Sequence, residues 1–523
     1  MEHPAELMHR DSLGSAHRHG LEDIGDDHHF DVCVIGSGAS GAVATDVLIE
    51  AGLDVLVIEE GPRLAANATN EALDRTSPTA LAREGNGEWG ERGWAWTTRN
   101  LGGGTVFYGG ASFRYREFDF DPTARIKSDD LEVRWPISLA DLEPYYAEME
   151  RRLAVVGIPT STRPLAGPPE TLSLPGEHLW RGAQALGYSP VPTPVAIDRT
   201  LCDNCSLCIC VQCLRGAKRD AVTAFLKPLA DRSNLALRTG FRAVALEQTE
   251  RHRVVALKCI ELATGRALRF RARRFVVACN AIQSAALLLR SASDIHPQGL
   301  GNRNDLVGRG LCMKLSEYSY GEVAGVPASD GGHPIGYRGP FSTISVLDHY
   351  LDDRCPTGVG GLMYEAKFDD WRRLGGPTLV ARVETIMADH PSATNRVRLA
   401  SQRDEWGLQR IMIDYRTDPR DAARLSYMLD RSTDWLRAAG VEDVRREASN
   451  YTLGSTHLHG TCRAGHDPAR SVVNADGRIH GVENVFVIDG GYMPYPGGLN
   501  PTLTIQANAL RIARLLAANA YTN

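Results

Sequence analysis

The stretch from Phe30 to Leu64, FDVCVIGSGASGAVATDVLIEAGLDVLVIEEGPRL, restricts the possible folds more than any other part of the chain. Asp31 to Ile35 reads as a buried strand, Gly36-x-Gly38-x-x-Gly41 follows at once, and Ala42 to Ala51 has helical character. Val55 to Ile58 is then a second apolar strand, ending at Glu59. Glycines in that first turn let the backbone approach a pyrophosphate, and the free N–H groups of the following helix stabilise its charge. Glu59 stands at the offset of a carboxylate that binds the ribose hydroxyls of adenosine. The unit is a βαβ dinucleotide site, and it leaves NAD and FAD equally open.

Later segments return to the same architecture. Arg274 to Ala278 is another short apolar strand, followed by Asn280 and a helix-like run from Ile282 to Arg290. Val485 to Ile488 is a strand ending at Asp489, and a long helix closes the sequence. A strand returning so late means a nucleotide domain built from distant segments, an arrangement suited to a flavin spanning the seam. Asn500 before Pro501 predicts a capping side chain ahead of a proline at the first helical position. The positive end of that helix would stabilise the charge formed on an isoalloxazine ring upon reduction. Between these segments, alternating runs such as RIMIDYR predict half-buried strands.

Composition narrows the function class. A chain of 523 residues normally makes two or more domains or one discontinuous pair, and its net charge of -6 argues against a nucleic-acid binder. No window reaches eighteen apolar residues and the N-terminus lacks an export pattern, so we expect a cytoplasmic protein without a membrane span. Residues 1–27 read as a flexible, histidine-rich leader. The odd count of eleven cysteines fits reduced thiols. Cys202, Cys205, Cys208 and Cys213 supply enough thiolates for an iron–sulfur cluster or tetrahedral zinc. Their spacing nearly copies a ferredoxin run, but the last gap is long, no proline follows, and Cys210 is surplus. We expect a structural loop there, with a metal site as the alternative.

In GSTHLHGTCRAG, His457 and His459 would point to one side of an extended backbone. A two-histidine metal clip, a general base for an alcohol proton, and a pair of hydrogen-bonded structural histidines all remain open.

The combination of GSGASG, VLVIEEG, LGGGTVFYGG, the WPIS and DLEPYY run at Trp135 to Tyr146, HLHGTC and GGLNPTLTIQANA resembles the glucose-methanol-choline (GMC) oxidoreductase family over nearly the whole chain. Longer runs, including LGGGTVFYGGASFRYR, ACNAIQSAALLLRS and VGRGLCMKLSEY, are similar to the FAD-dependent 6'-oxidases of 2-deoxystreptamine aminoglycoside biosynthesis. The resemblance implies an α/β (α+β overall) GMC fold. In it a discontinuous Rossmann-like FAD-binding domain (28–120, 204–312 and 455–523) lies beneath a substrate-binding domain (121–203 and 313–454) with a mainly antiparallel sheet.

It further implies oxidation of a primary alcohol, the 6'-hydroxymethyl group of a paromamine-like pseudosaccharide, to the aldehyde. His457 takes the role of base and Asn500 that of substrate-positioning partner. FAD would lie along Gly36, Gly38, Gly41, Glu59, Gly102, Gly103, Gly104, Val244, Asn280, Asp489, Asn500 and Thr502. Some members attach FAD covalently through a histidine near position 108; Tyr108 stands here, which implies dissociable FAD. Gly109 replaces an asparagine common in the family. Polycationic substrates call for carboxylates and aromatic faces, so Tyr108, Glu365, Glu384, Asp389 and His459 are candidates for substrate contact. Oxygen or another acceptor would reoxidise the flavin, and a separate aminotransferase would consume the aldehyde. The alternatives are a GMC oxidase for another sugar or alcohol, a lyase on the same scaffold, and a flavin electron carrier.

Overall fold

Strands His29–Ile35 and Val55–Glu59 run parallel, with Val32 opposite Val55 and Ile35 opposite Ile58, and helix Ala39–Glu50 crosses between them. The helix starts earlier than the expected Ala42 because the Gly38 carbonyl already accepts the Ala42 N–H. Both strands are buried on both faces, the reason their sequence is a continuous apolar run rather than an alternating one. The computed structural model describes residues 28–65, 72, 76–93, 98–128, 130–157, 171–205, 208, 212–250, 252–327, 340–367, 378–448 and 457–520. The expected leader and Cys210 lie outside the described residues.

The two strands belong to a seven-stranded sheet. Leu235–Thr239, Val55–Glu59, His29–Ile35 and Ala267–Val277 lie side by side in parallel, and Val485–Val487 pairs in parallel with Ala267–Val277, so the late strand joins the nucleotide sheet as expected. Arg253–Glu261 and Phe241–Glu250 extend the sheet antiparallel. The terminal helix Thr502–Ala518 packs against helix Ala39–Glu50, burying Leu503, Ala507, Leu510 and Ala513.

A second sheet is wholly antiparallel. Its order is Val441–Ala448, Leu315–Pro327, Thr378–Met387, Gly361–Glu365, Ile344–Val346 and Val191–Pro192. On one face Val323, Met363, Ala381 and Val383 pack with Leu179, Met428, Trp435 and Leu436 from helices Leu174–Ala185 and Pro419–Ala438. Fully burying a large apolar side chain contributes about 1.5–3 kcal/mol, so this face is fixed against the helices. The period of two then turns the cross-strand row Tyr318, Glu384, Tyr364 to the other side.

A third sheet orders Arg396–Arg403, Gln409–Tyr415, Thr79–Glu84 and Gly90–Gly93. Its parallel pairing of Gln409–Tyr415 with Thr79–Glu84 joins a segment expected in the FAD-binding part to one expected in the substrate part, so the two parts share a sheet there. Among the described residues no helix is long and apolar enough to cross a membrane.

Candidate active site

A cavity of about 760 Å3 opens between the carboxyl ends of the parallel strands and the free face of the antiparallel sheet. Its floor is the first βα turn. Gly36 sits at φ 97°, and a Cβ there would lie 2.5 Å from the Ala278 carbonyl oxygen. A Cβ on Gly103 would lie 3.1 Å from the Gly38 Cα, so two glycine segments meet backbone to backbone beneath the cavity. Gly36, Gly38, Gly103 and Gly104 line it. Gly41 and Gly102 do not: the first packs the helix on the turn and the second packs on Val222.

Helix Ala39–Glu50 has no side-chain cap and no acidic residue in its first turn, which leaves its N-terminal N–H groups and dipole for an anion. Beside it, Glu59 is buried. One carboxylate oxygen accepts from the Ser37 N–H (3.0 Å) and hydroxyl (2.7 Å), and the other from the Gly61 N–H (2.9 Å). Burial outweighs these donors and pushes its pKa up to about 7. Asn280, at φ 78°, caps the helix Ala281–Arg290 through the Ile282 N–H (3.1 Å) and lines the cavity. Asp489 also lines it, accepting from the Ser284 hydroxyl and the Gly491 N–H, with its pKa pushed up to about 6 by burial. On strand Phe241–Glu250 the lining residues are Phe241, Arg242 and Ala243; the expected Val244 does not line the cavity.

At the opposite end the Asn500 Nδ2 lies 3.5 Å from the His457 Nε2, and both residues line the cavity with Pro501 and Thr502. The expected capping by Asn500 does not occur. The helix starts at Thr502 with Pro501 at the cap position, so the asparagine side chain is too far back to bond the first turn. It projects toward His457 instead, and its Oδ1 is buried without a hydrogen-bond partner. Enclosure, helped by the Lys314 charge, lowers the His457 pKa well below the usual imidazole value, so the ring is neutral.

The other expected contact residues separate clearly. Tyr108 lines the cavity with its ring, while its hydroxyl donates to the Arg219 carbonyl (2.7 Å). Gly109 lines it too, and Phe341 fills the room a side chain would need, since a Cβ on Gly109 would lie 2.8 Å from the Phe341 ring. Glu384 is buried in the wall, accepting from the Ser316 hydroxyl (2.6 Å) and the Tyr364 hydroxyl (2.7 Å), with its pKa raised by burial. Tyr318 and Tyr364 flank it in the same cross-strand row and line the cavity. Arg382, two residues along, stacks on the Tyr318 ring at 3.6 Å.

Glu365, next in sequence to Tyr364, faces the other way. It accepts from the Ser173 hydroxyl and from the Thr343 N–H (2.7 Å) and hydroxyl (2.6 Å), away from the cavity. Asp389 is likewise internal, accepting from the Met313 N–H (2.7 Å), the Lys314 N–H (3.1 Å) and the Tyr415 hydroxyl (2.8 Å). His459 is fully buried and does not line the cavity, although His457 and Leu458 do; its backbone exchanges two hydrogen bonds with Cys312. Phe341, Tyr318, Tyr364 and Ser37 were not expected at the site; the only signal for them in sequence is their position in alternating or glycine-flanked runs.

Cys202, Cys205, Cys208 and Cys213 are free thiols. Cys202, Cys208 and Cys213 pack against Val156, Val195, Ile197 and Ala217. The buried Lys218 ammonium donates to the Cys208 and Val106 carbonyls, so the loop is fastened behind Tyr108 by its backbone. Among the described residues no group of three or more metal-ligating side chains converges, there or elsewhere.

Two family models, both described as GMC oxidoreductase, match this chain, one over residues 30–316 and the other over 391–509. The chain is a GMC oxidoreductase. It is 54% identical over 522 residues to the 6'''-hydroxyparomomycin C oxidase of Streptomyces lividus, covering 98% of this chain and 95% of that protein. It is also 54% identical over 517 residues to the paromamine 6'-oxidase of Streptomyces fradiae, with the same coverage. Solved structures with the same fold include pyridoxine 4-oxidase from Mesorbium loti (TM-score 0.66, 20% identity, 93% of this chain and 99% of that one) and formate oxidase (TM-score 0.69, 15% identity, 94% and 98%).

GMC oxidoreductases bind FAD, and this cavity fits it. The glycine crossing would admit a pyrophosphate against the uncapped helix, and Glu59 and Asn500, the latter with a buried Oδ1 that has no hydrogen-bond partner, line the same cavity and would meet polar groups of the cofactor.

Proposed function

We propose that this GMC oxidoreductase oxidises the 6'-hydroxymethyl group of a paromamine-like aminoglycoside to the aldehyde, in antibiotic biosynthesis. The observation that carries this reading is the His457–Asn500 pair, 3.5 Å apart, in the same cavity as a buried carboxylate, Glu384, set between two tyrosines. The two relatives of 54% identity, both named as oxidases of this antibiotic class, support it.

When bound, FAD supplies the acceptor for the hydride lost from the carbinol carbon. The protein does the rest. The His457 imidazole accepts the hydroxyl proton, a role open to it because its lowered pKa keeps the ring free of a proton at neutral pH. The Asn500 amide holds the alcohol oxygen in line, a positioning contribution. Glu384 draws a substrate ammonium into the wall, and the Tyr318 and Tyr364 rings pack on the sugar faces.

With Tyr108 bonded to Arg219 and no histidine at its place, FAD is held without a covalent link. Segments 28–120, 204–312 and 455–523 carry the cofactor and 121–203 and 313–454 the substrate. The reaction runs in the cytoplasm, oxygen or another acceptor regenerates the flavin, and an aminotransferase takes the aldehyde onward. A second reading, oxidation at the 6''' position, is favoured by one observation: the relative named for that position is just as similar. Supplying paromamine and 6'''-hydroxyparomomycin C separately under anaerobic conditions and following loss of oxidised-flavin absorbance distinguishes the two.

A further inference from the structure

We propose that Lys314 is a positioning residue whose buried ammonium fixes both members of the His457–Asn500 pair. The proposal rests on the reading of that pair as base and substrate-orienting partner.

Lys314 is fully buried, and its backbone stands at φ 52°, a left-handed conformation that a lysine adopts only when its surroundings enforce it. Asp389 enforces it by accepting the N–H groups of both Met313 and Lys314. The side chain then reaches the Leu499 carbonyl, to which its Nζ donates, and the Tyr115 hydroxyl at 3.2 Å. Leu499 precedes Asn500, so the lysine holds the backbone from which that amide projects. On its other side the same segment is tied to the histidines. Cys312 and His459 exchange backbone bonds of 3.1 and 2.9 Å, which sets His457 two residues away. One three-residue segment is therefore fastened to both halves of a pair that lies 43 positions apart in sequence.

The charge has a second effect. Burying an ammonium costs far more than burying an apolar side chain, so stability alone does not explain a lysine here. The groups facing it are Asp119 from the short helix Glu117–Phe120, Asp389, the Cys312 thiol, the Tyr115 hydroxyl and ring, and His457 and His459. Burial brings the Lys314 pKa down to about 7, with the two aspartates opposing. Its positive charge in turn disfavours an imidazolium at His457. Removing the charge must therefore raise the His457 pKa, and activity that needs neutral His457 would be lost at a higher pH on the acid side.

The test uses full-length holoenzyme carrying Lys314→Met, Lys314→Gln or Lys314→Arg. Flavin reduction by paromamine is measured against pH, and the histidine titrations are followed by NMR of histidine-labelled protein, with His457→Ala identifying the His457 signal. Lys314→Met should slow flavin reduction at saturating substrate by about 10- to 100-fold, the scale of a misplaced reacting group, and move both the acid limb and the His457 titration to higher pH. KM should change by less than about threefold, since the substrate contacts are elsewhere. Lys314→Arg should keep the wild-type titration, whereas Lys314→Gln should shift it. An unmoved His457 titration with flavin reduction within threefold of wild type in Lys314→Met would overturn the proposal. If that variant does not fold, identical His457 titrations in the arginine and glutamine variants overturn it instead. Failure of the underlying reading is separate: it appears as undiminished flavin reduction in His457→Ala.

Discussion

Replacing Glu384 with glutamine tests how the cavity recognises a polycation. Glu384 is 7% exposed, accepts from the Ser316 and Tyr364 hydroxyls and lines the cavity. Opposite unit charges about 4 Å apart attract by about 4 kcal/mol at the effective dielectric of a protein interior. Desolvation and the neighbouring Arg382 charge reduce this toward the ~1.5–3 kcal/mol of a hydrogen bond to a charged group. Glu384→Gln should therefore lower kcat/KM for paromamine by about 10- to 150-fold, with most of the loss in KM. Anaerobic stopped-flow at several substrate concentrations separates the two constants, and a neutral sugar alcohol of similar size serves as control. Thermal melting of the holoenzyme verifies that the fold is kept. The pH dependence has a defined sign. Because burial raises the Glu384 pKa, the group loses its charge as pH falls at a higher pH than an exposed glutamate would, and KM for the aminoglycoside should climb from that point downward. An equal loss for the aminoglycoside and the neutral alcohol would refute ammonium recognition at this residue.

Other outcomes follow from the same geometry. His457→Ala should reduce the rate of flavin reduction at least about a hundredfold, measured in single turnover. Glu59→Gln should weaken FAD by about 10- to 100-fold, the loss of charged-acceptor hydrogen bonds, read by fluorescence of FAD released on dilution. Gly109→Leu should displace Phe341 and lower both FAD occupancy and melting temperature, because the added side chain enters space the ring already fills. Metal analysis of anaerobically prepared protein should find neither iron nor zinc in stoichiometric amount, and a chelator should leave activity unchanged.

The nucleotide floor is legible in sequence because its signals are local: Gly36, Gly38 and Glu59 all lie within one βαβ unit whose geometry the glycines impose. His457 and Asn500 are legible for a different reason, since short motifs around each resemble the family. What the Asn500 side chain does is not legible, because a residue one place ahead of a proline looks like a cap until the helix is seen to start at Thr502. The proposed substrate wall is harder still. Tyr318, Glu384 and Tyr364 come from three strands, and only their register makes them one row. Glu365 and Glu384 look alike in sequence, yet Glu365 pairs with Val383, one step off the row that holds Glu384, and so turns to the opposite face of the sheet. The cysteine loop stands out by composition, whereas metal binding requires convergence in space, which spacing alone does not establish. Lys314 carries no signal at all, since its partners, Leu499 and Tyr115, lie 185 and 199 positions away.

The most direct test is anaerobic addition of paromamine to the purified flavoprotein while absorbance of the oxidised flavin is followed. Rapid, complete bleaching with one aldehyde formed per flavin is expected, and little or none with simple primary alcohols at the same concentration. Bleaching by simple alcohols but by neither paromamine nor 6'''-hydroxyparomomycin C, or product formation without any bleaching, would contradict it.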